Sequence, residues 1–253
     1  MLVCGETGTG KELFARAIHQ NSSRNGKNFV VVDCRSIPES IAEKLLLGHT
    51  GENRFGHSGL LSQANRGTLF LDEVADLPSS TQKIFCQLLQ DGKYRPVGQN
   101  SHVRVEFRLV SATNRNLRRM VAQGKFNPEL YTLIQPLLVE VPPLRDRFGD
   151  IEQLTEYFLK RFYQSGNFIP KDLSPEFKEL LKKYPWPGNV RELENSLSQA
   201  LLAAKNKKTL FPKDLPAHIR VQVKKLAIDQ KKSAVEEWKG SLYGGLTVAD
   251  TPL

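Results

Sequence analysis

The start of the chain constrains its fold more than any other segment. Residues 1–4 are a short apolar run, and residues 11–20 have the apolar spacing of a helix. At the junction, Gly5, Gly10 and Lys11 satisfy the pattern G-x-x-x-x-G-K. In this pattern the glycines let backbone amides face an anion, the helix N-terminus adds positive potential, and the lysine reaches the outer phosphates. The order of strand, glycine-rich loop and helix therefore predicts a phosphate-binding loop.

The remainder of the first 150 residues alternates strand and helix signals. The helix after the loop carries an apolar stripe of Leu13, Phe14, Ala17 and Ile18. Residues 28–34 form a nearly continuous apolar run, which predicts a strand buried on both faces of a sheet. Further signals predict strands at 67–73, 107–114 and 137–144, a hairpin within 94–107, and helices at 37–48 and 78–92. This alternation predicts an α/β fold with a mostly parallel sheet.

After residue 150 the sequence predicts helices alone. Residues 151–165 and 189–204 have helical periodicity, and Ser174-Pro175 is a helix start with an N-cap followed by proline. We therefore expect three regions in the chain. They are an α/β nucleotide-binding core over residues 1–148, a small helical lid subdomain over residues 149–217, and a basic, poorly ordered tail over residues 218–253.

Positive charge is concentrated in the tail. The chain has a net charge of +9, and residues 205–240 hold ten Lys and Arg against four Asp and Glu. Basic tails neutralise phosphate backbones, which makes nucleic acid one expected partner. A solvated helix surface is the alternative explanation, and the sequence leaves both open.

Cysteine usage and hydropathy indicate a cytoplasmic protein with no membrane contact. Cys4, Cys34 and Cys86 are scattered through apolar segments, as buried thiols of a reducing compartment would be. No apolar run reaches the roughly 20 residues that span a bilayer. The chain also does not open with the basic and apolar stretches of a signal peptide.

Two consecutive carboxylates end the strand predicted at residues 67–73. In a protein with a phosphate-binding loop, Asp72 would serve Mg²⁺ and Glu73 would serve a hydrolytic water. A solvated strand end is the alternative interpretation of this pair.

Five segments together resemble the central AAA+ ATPase domain of sigma-54-dependent transcription activators. They occur in the family's order and spacing and cover residues 1 to 217: GETGTGKE, GTLFLDEVADLP, LVSATN, VPPLRDR and YPWPGNVRELEN. The resemblance implies a P-loop AAA+ fold with a helical lid, ATP and Mg²⁺ as cofactors, and assembly into a homo-oligomeric ring. It also implies sigma-54 RNA polymerase as a partner.

The resemblance assigns roles to individual residues. The family's loop ends in Lys-Glu, so the loop is expected to bind nucleotide through Gly5, Glu6, Thr7, Gly8, Thr9, Gly10, Lys11 and Glu12. Asn114 matches the family's first sensor, which reads the γ-phosphate. Arg191 matches the second sensor, which reaches the nucleotide from the lid.

The positions that match the family's arginine fingers carry other residues. In the register of F-R-x-D-L-x-x-R-L, Asn127 and Leu133 replace the two arginines. An arginine finger contributes about 10³–10⁵ in turnover by stabilising charge on the transferred phosphoryl group, which an amide and an isobutyl group cannot do. Pro128 and Pro136 are also expected to alter the local helix. Arg145 and Arg147 are the candidates to compensate for the fingers, although the family carries these two arginines in addition to them.

Two further departures concern the sigma-54 contact and the chain ends. Residues 49–66 retain Phe55 but lack the family's Gly-Ala-Phe-Thr-Gly-Ala loop. The family's domain begins some twenty residues earlier, and no helix-turn-helix is recognisable after residue 217. The sequence leaves open a truncated chain, a fragmentary gene product and a standalone divergent relative. DNA contact is therefore expected only through a missing domain or the basic tail.

Two functions follow as hypotheses. The first is an ATP-binding domain of a sigma-54-dependent regulator of transcription initiation, with weakened hydrolysis and sigma-54 engagement. The second is a degenerate, nucleotide-responsive binding module that has little ATPase activity and acts by protein association.

Overall fold

The computed structural model describes residues 1–49, 57–166, 168–205 and 207–243. The chain divides into two compact units, Met1–Pro143 and Leu144–Leu253. The division falls slightly before the boundary predicted at residue 148. Within the described ranges, none of the helices combines the length and apolar character that a bilayer span requires.

The first unit alternates strands and helices as the sequence predicted. Its strands are β1 (Leu2–Cys4), β2 (Phe29–Asp33), β3 (Gly48–His49), β4 (His57–Ser58), β5 (Thr68–Asp72), β6 (Lys93–Tyr94), β7 (Val103–Arg104), β8 (Arg108–Thr113) and β9 (Leu138–Glu140). Its helices are α1 (Lys11–Gln20), α2 (Glu39–Leu47), α3 (Leu60–Gln63), α4 (Ser79–Asp91), α5 (Leu117–Ala122) and α6 (Pro128–Ile134).

A five-stranded parallel sheet with the order β2-β5-β8-β1-β9 forms the centre of this unit. Its middle strands are fully buried, as the apolar run Leu69, Phe70 and Leu71 on β5 demonstrates. The prediction of a mostly parallel α/β sheet is confirmed. Because β1 lies between β8 and β9, the loop that follows β1 emerges at the sheet's carboxyl edge with a strand on either side.

The structure corrects two predictions about burial. Strand β2 was expected to be buried on both faces, but Val31 is 36% exposed because β2 is an edge strand. Helix α1 was expected to pack its apolar stripe, but Leu13 is 65% exposed. The helix instead packs Ala15 and His19, and the His19 ring contacts Phe29 while its Nδ1 lies 2.9 Å from Thr68 Oγ1.

The smaller local predictions for this unit are confirmed. Strands β6 and β7 form the expected antiparallel hairpin. Helix α4 ends at Gly92 in a left-handed conformation, with φ 64°. All three cysteines are free, and Cys34 and Cys86 are buried while Cys4 is partly buried. Burial raises the pKa of each of these thiols, so they remain protonated.

The second unit is mainly helical. It contains α7 (Phe148–Gln164), α8 (Pro175–Lys183), α9 (Asn189–Ala203) and α10 (Ala217–Tyr243), with short strands β10 (Asp172–Leu173) and β11 (Thr209–Leu210). Ser174 caps α8 as predicted, since its Oγ accepts a hydrogen bond from Phe177 N at 3.2 Å. Trp186, Phe177 and Leu197 lie at the centre of its apolar core.

The structure describes helix α10, Ala217–Tyr243, across most of the tail predicted over residues 218–253, and the low order expected of that tail remains a prediction. This segment is rich in Ala, Lys, Gln and Glu, which have high helix propensity. Ile219 is fully buried and anchors the start of the helix in the core of the second unit. The last part of the predicted tail, residues 244–253, lies outside the described residues.

We predict that Trp186→Ala destabilises the second unit by about 3–5 kcal/mol, because it opens a cavity in the core. The Trp186 side chain is fully buried, and its ring centroid lies 4.9 Å from that of Tyr184. Its Nε1 donates a hydrogen bond to Leu181 O at 2.8 Å. Urea unfolding followed by circular dichroism measures the loss. Leu202→Ala is the matched control, since Leu202 is 61% exposed. Equal effects of the two substitutions would contradict this description of the core.

Candidate functional site

The carboxyl ends of β1, β5 and β8 bring together residues from three distant parts of the chain. Because these strands are parallel neighbours, their final residues share one edge of the sheet. Asn114, after β8, donates its backbone N–H to Glu73 Oε2 at 3.0 Å and its Nδ2–H to Thr7 Oγ1 at 2.8 Å. The predicted first sensor thus connects the predicted catalytic carboxylate to the glycine-rich loop.

The glycine-rich loop is held in a compact turn between β1 and α1. Gly10 adopts φ 96° at the N-cap of α1, a conformation that favours glycine. Thr9 Oγ1 donates a hydrogen bond to Glu6 O at 2.9 Å. At Gly5, a Cβ would lie 2.8 Å from Val141 O, so the space beside the loop admits no side chain. The backbone path, held by the Thr9 side-chain hydrogen bond, therefore has the compact shape of the anion-binding turn expected from the sequence.

Lys11 is the buried cation of this site. Its side chain is 6% exposed, and Nζ donates to Gly5 O at 3.0 Å and Glu6 O at 3.2 Å. Nζ also lies 3.6 Å from Glu73 Oε1, whose side chain is 5% exposed. A buried ammonium needs such partners, because burial without them is costly. These contacts hold the charge against the loop, where an anionic ligand would meet it.

The two carboxylates at the end of β5 have different surroundings. The Asp72 side chain is 23% exposed, and its burial, followed by the nearby charge of Glu73, raises its pKa while Lys11 and Arg35 oppose the shift. Glu73 has φ 52°, a left-handed conformation that is unusual for a glutamate. This turn directs the Glu73 carboxylate to Lys11 and Asn114. The pair is therefore not the solvated strand end considered as its alternative.

Sequence reasoning missed the contribution of β2 to this edge. Arg35 Nε lies 3.1 Å from Asp33 Oδ1, and Arg35 Nη2 lies 3.9 Å from Asp72 Oδ2. Asp33 and Asp72 are register partners at the ends of adjacent strands. The sequence did contain a signal, because both predicted strands contain an aspartate near their carboxyl end, but their adjacency in the sheet was not predicted.

Glu12, the last residue of the loop motif, is directed along the first helix. Its Oε1 lies 2.7 Å from Arg16 Nη2, and both side chains are 45% exposed. Such exposed pairs one helical turn apart stabilise a helix by only about 0.3–0.5 kcal/mol. Contact between Glu12 and phosphate remains a prediction.

Asn127 has a structural role in α6 at the position of the first missing arginine. Its Oδ1 accepts hydrogen bonds from Glu129 N at 2.7 Å and Leu130 N at 3.0 Å, which makes it the N-cap. Pro128 occupies the first turn, where its missing N–H costs nothing, and α6 ends at Ile134, before Pro136. The expected effect of these prolines is thus confined to setting the limits of a short helix.

The remaining predicted residues lie on other elements or outside the described residues. Leu133 is partly buried on α6. Arg191 is exposed near the start of α9 in the second unit, and its role as a sensor remains a prediction. Residues 50–56 of the altered loop, including Phe55, lie outside the described residues.

Family models match both units of the chain. The sigma-54 interaction domain matches residues 1–140, and the AAA+ ATPase lid domain matches residues 145–232. The predicted AAA+ core and helical lid correspond to these two regions.

Known proteins similar to this chain are bacterial regulators. Regulatory protein AtoC of Escherichia coli is 39% identical over 228 residues, which cover 88% of this chain and 49% of AtoC. Regulatory protein LuxO of Vibrio cholerae is 42% identical over 210 residues, which cover 81% of this chain and 39% of LuxO. The chain therefore spans less than half the length of each of these relatives.

A solved structure of a related protein contains nucleotide. The crystal structure of NtrX from Brucella abortus in complex with ATP has a TM-score of 0.81 and 34% identity, covering 86% of this chain and 49% of that chain. Since the sigma-54 interaction model matches more than half of the residues, this chain belongs to the sigma-54 interaction domain family, the AAA+ domain of sigma-54-dependent transcriptional regulators.

Proposed function

We propose that this chain binds ATP with Mg²⁺ at the carboxyl edge of the parallel sheet. The main support for this proposal is that Lys11 contacts Glu73, and Glu73 contacts Asn114, beside the glycine-rich loop. The donor set fits the ligand, because a buried ammonium and an anion-binding turn suit phosphates while a partly exposed aspartate suits Mg²⁺. The complex of the relative NtrX with ATP supports the same ligand.

Each residue at this edge takes a role that follows from its surroundings. The loop from Gly5 to Glu12 would hold the phosphates, and Lys11 would supply positive charge to them. Asp72 would hold Mg²⁺, and Glu73 would orient the attacking water. Asn114 links the state of the phosphate site to Glu73 through its backbone N–H. ATP with Mg²⁺ supplies the transferable phosphoryl group and part of its charge neutralisation.

Hydrolysis is proposed to be weak, because the arginine positions cannot stabilise charge. Asn127 uses its amide oxygen to cap α6, and Leu133 carries no charge. These two observations favour the second candidate, a nucleotide-responsive module that acts by association. In either case we propose a role in sigma-54-dependent transcription, with ring assembly and polymerase contact as family properties to be tested.

We predict that Lys11→Gln weakens ATP binding about 10- to 100-fold, which corresponds to the 1.5–3 kcal/mol of a hydrogen bond to a charged group. Isothermal titration calorimetry with Mg²⁺ measures the change. Lys27→Gln removes the same charge from an exposed position in the first unit and is expected to leave the affinity unchanged. Absence of heat from ATP or ADP with the folded parent chain would overturn the proposal.

We predict that steady-state ATP hydrolysis is near background in the parent chain and rises about 10-fold or more in Leu133→Arg, because one finger charge is restored. Turnover is measured across a series of protein concentrations. A rise that grows with concentration indicates that the arginine acts between subunits. Thr132→Arg, at the exposed neighbouring position, is the matched control. A parent chain that already hydrolyses ATP rapidly would contradict the loss of the fingers.

We predict that Asn127→Ala lowers the free energy of unfolding of the first unit by about 1 kcal/mol, since it removes the cap of α6. Asn127→Asp retains a capping oxygen and should cost less. Thermal unfolding of both variants measures the difference. If alanine and aspartate are equally tolerated, the capping hydrogen bonds do not stabilise α6.

A further inference from the structure

The exposed face of α10 carries a cluster of lysines. Lys224, Lys225 and Lys232 are exposed, and the helix is anchored on its other side by the buried Ile219. Residues three, four, seven or eight apart lie on one face of an α-helix. Lys224, Lys225 and Lys232 therefore share the face of Val221 and Ile228, which are 52% and 53% exposed. We call this the basic face of α10.

Lysine recurs along the basic face of α10. Lys232 follows Lys225 after seven residues, and both side chains are exposed. Seven residues make two helical turns, or about 10.5 Å of rise, so positive charge recurs along the axis.

Little acidic charge offsets this cluster. Between residues 217 and 232 the sequence contains five Lys and Arg but a single acidic residue, Asp229. Within the described part of the chain, neither Lys224 nor Lys225 forms an ion pair. By contrast, the adjacent lysines on α8 are both paired, Lys182 with Glu152 at 3.2 Å and Lys183 with Glu179 at 2.6 Å.

We propose that the basic face of α10 binds the phosphate backbone of double-stranded DNA. Recurrent lysines that outnumber the acidic residues on one exposed helix face suit a polyanion whose charges recur along an axis. The apolar side chains of Val221 and Ile228 lie among the lysines. A helix that binds a membrane surface separates its apolar and basic faces, so this arrangement favours DNA over an anionic bilayer.

The test compares DNA binding by the parent chain and by Lys224→Gln/Lys225→Gln. Fluorescence anisotropy with a labelled duplex of mixed sequence is measured without nucleotide, so the outcome does not depend on the ATP site. The association constant is measured at several salt concentrations. A plot of its logarithm against the logarithm of the salt concentration has a slope of about −0.9 for each phosphate contacted. The double variant is expected to bind about 10-fold more weakly at low salt, with a slope smaller in magnitude by about 2.

Lys182→Gln/Lys183→Gln is the matched control, because it removes the same charge from ion-paired lysines of the second unit. It is expected to bind like the parent chain. Equal losses in both double variants would overturn the proposal, because net charge and not the basic face would then determine binding. No binding of duplex by the parent chain, or binding only to phosphatidylglycerol vesicles, would also overturn it. Retention of affinity by Lys224→Arg/Lys225→Arg would support it.

Discussion

The ion pair between Lys11 and Glu73 is the interaction on which the candidate site depends. It joins the first turn of α1 to the end of β5, two elements that are distant in the sequence. Neither charge is stable in a buried position without the other, so each fixes the place of its partner. The hydrogen bond from Asn114 N to Glu73 Oε2 connects the end of β8 to this ion pair. The start of α1 and the ends of β5 and β8 are thus connected through Glu73.

The predictable parts of this protein are those set by local sequence. The loop, the parallel strands and the caps at Ser174 and Gly92 follow from patterns within a few residues, and the structure confirms them. The exposed edge of β2 and the packing of α1 through Ala15 depend on which strands are neighbours. Arg35 was missed for the same reason, since its relation to Asp72 exists only across the sheet.

Helix α6 illustrates how a lost charge and a gained structural role can coincide. Asn127 satisfies two backbone N–H groups that would otherwise lack partners at the helix start. An arginine there would have to leave these donors to water. Motif comparison alone identified the missing charge but could not reveal the cap. Similarly, composition identified a basic tail, but not that helix α10 covers part of it.

The crowding at Gly5 has a consequence for how this family's sequences can vary. The wall beside the loop is the carbonyl of Val141, which is itself held by the hydrogen bond from Val141 N to Cys4 O at 2.8 Å. The nearest atom of this wall belongs to the backbone, so replacement of the valine leaves that carbonyl in position. The shape of the loop is thus tied to the alignment of two neighbouring strands, and an insertion near residue 141 would disturb it from outside the motif.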